Sequence, residues 1–412
     1  MPGFLMVGLP KGAMREGNVR IRSAITNSGM KWGSPRVVIN LAPADLPKDG
    51  AAFDLPIAVG IMASKRHIQN NRPGLLLAGE LAMDGRLRPV RAALILAEAA
   101  RRWGLDGVLL PRANAAEAAL VHGIKAFGVE TLAQAAAFLS GQEELRPMED
   151  ASGERSGARR LTAGLDFAEV MDQPQARRAA EVAAAGGHNL MLIGPPGAGK
   201  TMIARRMGTI LPPMSRQEAI EATKVHSVAG ILGSENLVYN RPFRAPHHTS
   251  STVGLVGGGA SPRPGEVSLA HNGVLFLDEL PEFQRQSLEA LRQPLEDGEV
   301  TIVRTRQVVT YPARFMLVAA MNPCMCGYLD SGVRTCVCGE RAAQRYRGRI
   351  SGPLLDRFDM FIQVSRVQTR RLMNGGKGGE GSSDIAARVA TARELQRHRY
   401  LRARIHCNAQ MN

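Results

Sequence analysis

Aromatic side chains are scarce, at 4% of the 412 residues, and no apolar run approaches the roughly 20 residues that a membrane-spanning helix needs. No membrane partner is expected. Residues 1–10 carry neither a basic start nor a long apolar stretch, so no secretory leader is read there. Cysteine is limited to five residues, four of them bunched between 324 and 338. That is too few and too local for the disulfide scaffold of a secreted protein in a chain this long. A cytoplasmic location is expected. What the chain does have is enough apolar material, 44%, to build two or three globular domains.

Acidic residues are the minority charge. Lys and Arg outnumber Asp and Glu by 52 to 37, a net charge of +15. The excess is uneven: residues 341–412 hold fifteen basic and five acidic side chains. A basic stripe of this kind is the footprint of a polyanion partner such as nucleic acid. A solvated face, or a surface facing acidic neighbours in an oligomer, has the same composition.

Composition divides the chain. Residues 1–140 mix short β-rich runs, such as 36–41, with Ala-rich helical runs at 92–102, 113–121 and 132–139, the pattern of an α+β domain. Residues 141–163 are polar and rich in Gly and Ser, and read as a linker. From 164 to 365 a rhythm of helix, strand, Gly-rich loop and helix predicts a doubly wound α/β domain. A Gly-rich stretch, 374–381, then precedes a basic helix over about 384–404.

The α/β region carries a phosphate-binding signature. Leu190–Ile193 reads as a buried strand, and Met202–Ile210 as a helix. Between them Gly194, Pro195, Pro196, Gly197, Ala198, Gly199, Lys200 and Thr201 match G-x-x-x-x-G-K-[ST] in full. Glycines in such a loop let backbone N–H groups wrap phosphates at a helix N-terminus. Lys200 is placed to reach the β- and γ-phosphates of ATP, and Thr201 to ligate Mg²⁺. A second apolar strand, Val274–Leu277, ends in Asp278 and Glu279. Asp278 suits water-mediated Mg²⁺ binding, and Glu279 the activation of the attacking water. A third strand, Phe315–Met321, ends at Asn322, an amide suited to orienting that water. Asn-Pro is also a turn former.

Cys324 and Cys326, with Cys336 and Cys338, form two C-x-C pairs nine residues apart. Four thiolates could hold Zn²⁺ tetrahedrally, or remain reduced thiols in a loop. His247 and His248 stand too far off to extend the set, and read as core or interface residues.

Several long segments resemble the magnesium-chelatase-like branch of AAA+ ATPases, and within it the competence-protein ComM (YifB) family. They are 185–190 (AGGHNL), 241–248 (RPFRAPHH), 264–281 (PGEVSLAHNGVLFLDELP), 311–315 (YPARF) and 350–359 (ISGPLLDRFD). The resemblance implies a hexameric, ATP-driven DNA motor, a helicase or branch-migration translocase used in natural transformation and recombination. The alternative is a chelatase-type ATPase that remodels a protein partner for metal insertion. The same resemblance makes Asn322 a sensor of the nucleotide. It makes Arg357 an arginine finger for the site of the neighbouring subunit. It also turns the hairpin read over 298–311 towards a ring pore, with Arg304 and Arg306 at its tip as DNA contacts.

The N-terminal region resembles the Lon-protease-like domain of that family at 40–48 (NLAPADLPK) and 53–58 (FDLPIA). Ala52 and Leu94 stand where a Ser–Lys dyad would lie, and neither can do that chemistry. A scaffold or DNA-docking role is expected instead. Family members carry a segment before a strand like 4–9, and a C-terminal lid domain. The chain therefore reads as N-terminally shortened, with residues 366–412 the Gly-rich linker and the start of that lid.

Overall fold

The computed structural model describes residues 3–33, 36–46, 48–150, 164–233, 236–259, 261–304, 307–332, 334–366, 379–403, 405 and 407–411. Its contacts divide the chain into two compact units, residues 1–157 with 226–237, and residues 158–225 with 238–412.

In the first unit, β1 (Phe4–Val7) runs parallel to β2 (Val37–Asn40), with α1 (Gly17–Asn27) between them in sequence. After α2 (Asp54–Ser64) come β3 (Leu75–Leu77) and a short antiparallel pair, β4 (Glu80–Leu81) and β5 (Leu87–Arg88). The unit continues with α3 (Ala93–Arg102), β6 (Gly107–Pro111), α4 (Arg112–Ala118), β7 (Lys125–Val129) and α5 (Leu132–Leu139). Strands β3, β6 and β7 form a parallel sheet, β6 in the middle. Every residue of β6 is buried, which is why it reads as an unbroken apolar run rather than an alternation. Helix α2 is apolar nearly all round and sits in the core. Its first residue, Asp54, is buried and held by the Arg20 guanidinium at 2.9 and 3.2 Å. Burial nonetheless pushes the Asp54 carboxyl above the usual range, with Arg20 opposing. Ala52 lies in the turn before α2, its carbonyl accepting from Gly79 N–H, and Leu94 is fully buried in the first turn of α3.

Residues 141–150 differ from a free linker. Leu145 packs on the core of this unit, and Met148 N–H donates to Ala126 O at 2.7 Å, so apolar cover and an edge hydrogen bond hold them down. Residues 151–163 lie outside the described set. The segment 226–237 also belongs to this unit. There Ser227 Oγ donates to the buried Glu117 at 2.5 Å and accepts Ala92 N–H at 3.0 Å.

The second unit is built on a five-stranded parallel sheet. Its elements begin with α6 (Pro174–Gly186), β8 (Leu190–Ile193), α7 (Lys200–Ile210) and α8 (Arg216–Ala229), which belongs to this unit as far as Val225. Next come β9 (Phe243–Arg244), α9 (Thr252–Val256), a β10–β11 pair (Gly257–Gly258 with Arg263–Pro264), α10 (Glu266–Leu269) and β12 (Val274–Leu277). After these stand α11 (Arg285–Glu289), α12 (Arg292–Asp297), β13 (Glu299–Arg304), β14 (Gln307–Pro312) and β15 (Met316–Met321). The last are α13 (Gly339–Arg347), α14 (Gly352–Leu355), β16 (Met360–Gln363) and α15 (Ser382–Arg399).

The sheet order is β16-β8-β15-β12-β9, every pair parallel. Thus β15, last of the three motif strands in sequence, lies between the other two. Its six residues are all buried, and Met316, Val318 and Ala320 join Leu190, Leu192, Val274 and Phe276 in one core with α6 and α7. Helix α6 starts with Pro174 at its first turn and ends on Gly187, whose φ of +75° closes the helix in the left-handed region. Helix α15 packs on α6 and α7 and ends at Arg399, five residues short of the sequence expectation. Among the described residues no helix is long and apolar enough to cross a membrane.

Candidate active site

In a parallel sheet all strand C-termini share one edge, the edge where α/β proteins place their ligands. Here β8, β15 and β12 are adjacent, and their C-terminal ends carry Gly194–Thr201, Asn322 and Asp278–Glu279. The sheet order therefore puts the three motifs side by side, Asn322 in the middle.

The loop needs its glycines. A Cβ on Gly194 would lie 2.1 Å from Val364 O, and Gly197 and Gly199 hold φ of +74° and +90°. Helix α7 starts at Lys200, so the Gly199–Lys200 end of the loop is the helix N-terminus. Gln173, buried, donates to Ala198 O and Ser365 O, fastening the loop to the exit of β16.

The loop and the two other strand tips are bonded together. Lys200 Nζ donates to Gly194 O at 2.7 Å, Pro195 O at 3.0 Å and Asn322 Oδ1 at 3.0 Å, which uses its three donors. Burial pulls the Lys200 ammonium below the usual lysine range, while Asp278 and Glu279 pull it back up. Thr201 Oγ1 donates to Asp278 Oδ2 at 2.6 Å. A hydroxyl and a carboxylate in contact form the oxygen pair a magnesium ion takes from such a site. Glu279 sits in the left-handed region, φ 51°, which re-aims its side chain after β12. Its carboxylate lies 3.4 Å from His248 Nδ1.

His248 is a residue that sequence reasoning set aside. Its ring stacks near His247 at 4.1 Å between centroids, and the pair occupies the stretch after β9, the strand beside β12. Tyr346 was missed as well. Its hydroxyl meets the backbone of Asn322, and burial, helped by the charges of Glu282 and Glu279, pushes its pKa up to about 12. The sequence signal for His248 was the family segment 241–248 that ends on it, and Tyr346 lies outside all the family segments.

Arg357 is elsewhere. It stands just after α14, half exposed, and pairs with Glu296 of α12. Asn189 anchors this turn: its Nδ2 donates to Arg357 O at 2.8 Å, its N–H to Asp359 Oδ2 at 2.7 Å, and its Oδ1 accepts Leu317 N–H at 2.7 Å. The hairpin read from the sequence is present as β13–β14, Arg304 opposite Gln307. Val303 and Val308 face each other near the tip and are about two-thirds exposed. Arg304 is exposed at the end of β13, and Arg306 lies outside the described residues.

The basic C-terminal stretch is partly neutralised within the chain. Arg388 bonds Glu181 and Glu380, Arg349 bonds Glu282, and Arg397 bonds Glu394.

The four clustered cysteines converge. The sulfurs of Cys324, Cys326, Cys336 and Cys338 all lie within 4.8 Å of one another. Cys324 Sγ is 3.4 Å from Cys326 Sγ and 3.6 Å from Cys336 Sγ, and all four are free thiols. Backbone N–H groups of Tyr328 and Val337 pull the Cys326 thiol down to about 6.

The family model described as magnesium chelatase, subunit ChlI, matches residues 166–372, and a second, subunit ChlI of Mg-chelatase, matches residues 1–114. The protein YifB of Salmonella typhimurium is 44% identical over 409 residues, covering 98% of this chain and 79% of that protein. Competence protein ComM of Haemophilus influenzae is 44% identical over 403 residues, 97% of this chain and 78% of its own. The magnesium-chelatase 38 kDa subunit of Acidiphilium rubrum is more distant, at 24% over 198 residues, 42% of this chain and 50% of its own. The chain belongs to the magnesium chelatase subunit ChlI family of AAA+ ATPases, and YifB and ComM proteins are among the relatives that match nearly all of it.

Proposed function

We propose that the chain is the subunit of a ring-shaped, cytoplasmic, ATP-driven DNA motor, a helicase or branch-migration translocase. The observation that carries the catalytic part is the bonding of three strand tips into one site, Lys200 to Asn322 and Thr201 to Asp278. In this reading residues 194–201 cradle the phosphates of ATP, and Lys200 leaves its carbonyl partners for the γ-phosphate. Thr201 and Asp278 would hold Mg²⁺, whose positive charge would offset the charge developing on the phosphates. Glu279 takes the proton of the attacking water, which Asn322 helps to orient. Arg357 exchanges Glu296 for a phosphate bound by the neighbouring subunit. Zn²⁺ on the four clustered thiols is the second metal of this reading.

DNA as the partner is supported by the likeness to ComM, whose name records competence, and by the exposed β13–β14 hairpin with Arg304, and Arg306 beyond it. Residues 1–140, read as a Lon-protease-like domain without its dyad, serve as scaffold or docking platform. Residues 366–412 begin a lid. The chelatase alternative rests on the distant chelatase subunit, which matches 42% of this chain. One experiment separates the two: ATP turnover with and without single-stranded and branched DNA. Stimulation by DNA is expected, and turnover indifferent to both DNA forms would remove the DNA reading while leaving the ATPase.

A further inference from the structure

We propose that Cys324, Cys326, Cys336 and Cys338 bind one Zn²⁺ whose role is to fasten the 322–339 loop against the phosphate loop, so that nucleotide affinity depends on the metal. The second half of this statement rests on the reading of residues 194–201 as an ATP site.

The donor set fits the ion. Zinc–thiolate bonds of about 2.3 Å in a tetrahedron put sulfurs about 3.8 Å apart. The contacts here are 3.4, 3.6 and 3.6 Å, and no pair among the four exceeds 4.8 Å. A disulfide would require about 2.05 Å, far closer than any of these. A multi-iron cluster would need sulfurs held wider apart, so the space suits a single ion. Four soft sulfurs with no carboxylate or imidazole select zinc over magnesium or calcium. The surrounding backbone supports the sulfurs as metal sites require: Cys326 N–H donates to Cys338 Sγ at 3.2 Å, and Leu329 N–H to Cys324 Sγ at 3.4 Å. The middle residues of the two C-x-C pairs, Met325 and Val337, are 65% and 78% exposed, whereas Cys324 is fully buried. Both pairs thus leave an apolar side chain outward, which burial of apolar area alone would not choose. Zinc–thiolate bonding, which displaces the thiol protons to solvent, would supply the free energy that offsets that exposure.

The loop reaches the nucleotide site directly. Gly327, at φ +84°, lies so close to Pro196 that a Cβ there would stand 2.5 Å from its Cδ and 3.7 Å from Asn322 Cγ. Cys338 is the N-cap position of α13, and α13 carries Tyr346, whose hydroxyl meets the backbone of Asn322. The metal therefore closes a bracket with one arm on the phosphate loop and the other, through α13, on Asn322. Ahead of α13, the segment 322–338 contains no helix or strand among its described residues, so beyond a few turn hydrogen bonds its shape would depend on the four ligands.

The test uses the whole chain, purified reduced and without chelator. Elemental analysis is expected to find about one Zn²⁺ per chain, and Co²⁺ exchanged in its place is expected to show the intense visible bands of tetrahedral thiolate coordination. Cys336→Ser should lose the metal and Cys407→Ser should keep it. Removing zinc from folded wild-type protein should weaken binding of a fluorescent ATP analogue and lower turnover on the order of 100-fold, the effect of misplacing positioning groups by about 1 Å; re-adding Zn²⁺ should restore both. Absence of metal and of the cobalt spectrum overturns the site. Stoichiometric zinc whose removal leaves nucleotide affinity and turnover unchanged overturns the coupling. Zinc-loaded protein that binds no nucleotide overturns the ATP reading, and with it the coupling, but not the metal site.

Discussion

Both units contain a parallel sheet with a fully buried middle strand, β6 in one and β15 in the other. The segments that leave the strand ends differ. In the first unit β3 runs into Ala78 and Gly79, β6 into Arg112, and β7 into Glu130, with no phosphate loop and no strand-end carboxylate pair. In the second the adjacent tips present a glycine loop, an amide and two carboxylates, bonded to one another. The packing physics is shared, so the sheet explains stability in both and chemistry in neither. Chemistry resides in a few residues at one edge.

The comparison breaks most visibly at that edge. Lys200→Ala is expected to abolish ATP binding, and Glu279→Gln to keep binding while stopping turnover. Phosphate release and nucleotide titration measure the two separately, and normal turnover by Glu279→Gln would sink its role. Next in size, Arg357→Ala should retain nucleotide and lose about 10³-fold or more in turnover. Mixing it with Lys200→Ala subunits should restore part of the activity, because an intact Lys200 site can then face an intact Arg357. Demonstrably mixed rings that stay inactive would show that Arg357 does not act in trans.

Substitution in the first unit should act on stability instead. Asp54→Asn weakens the charge-assisted hydrogen bonds from Arg20 but also removes a carboxylate that burial disfavours, for a net cost of about 1 kcal/mol. Thermal unfolding should register this, while the ATP affinity of protein still folded stays unchanged; a selective loss of affinity would contradict the division of labour between the units. The smallest effect concerns Glu221 of α8. A hydrogen bond with His271 at 3.3 Å is the main cause that brings its carboxyl from 4.5 down to about 2. A lowered folded-state pKa adds stability that is full above the unfolded value and lost as pH falls through the folded one. The stability advantage of wild type over Glu221→Gln should therefore be constant above about 4.5 and shrink towards pH 2. An advantage that grew on acidification would reverse the assignment.

Much of the candidate site was legible because its parts are local. The run 194–201 states its own loop geometry, and a buried strand ending in Asp278–Glu279 is a motif with a mechanism. The hairpin was readable from two β-branched runs around a short polar turn. Relations between distant segments were not. Nothing in the sequence says that β15 inserts between β8 and β12, although that order brings Asn322 to Lys200. Nothing local places His248 beside Glu279, Gly327 against Pro196, or Glu296 on Arg357. Residues 141–150 looked like linker because polar composition hides the single anchoring Leu145. The strongly basic C-terminal count could not show how many of its arginines are spent on partners within the chain.

Strand β8 has a tether at each end. Asn189 at its start grips the carbonyl of Arg357, and the phosphate loop leaves from its finish. Four residues of strand extend about 13 Å. The strand is thus a spacer, and it keeps a chain's own Arg357 turn away from the edge that carries its own Lys200. Arithmetic comes with that separation. On the proposed trans role of Arg357, a lone subunit offers one phosphate cradle and one guanidinium with no cradle to meet, an open row leaves such a mismatch at each end, and a closed circle alone lets every cradle meet a guanidinium from next door.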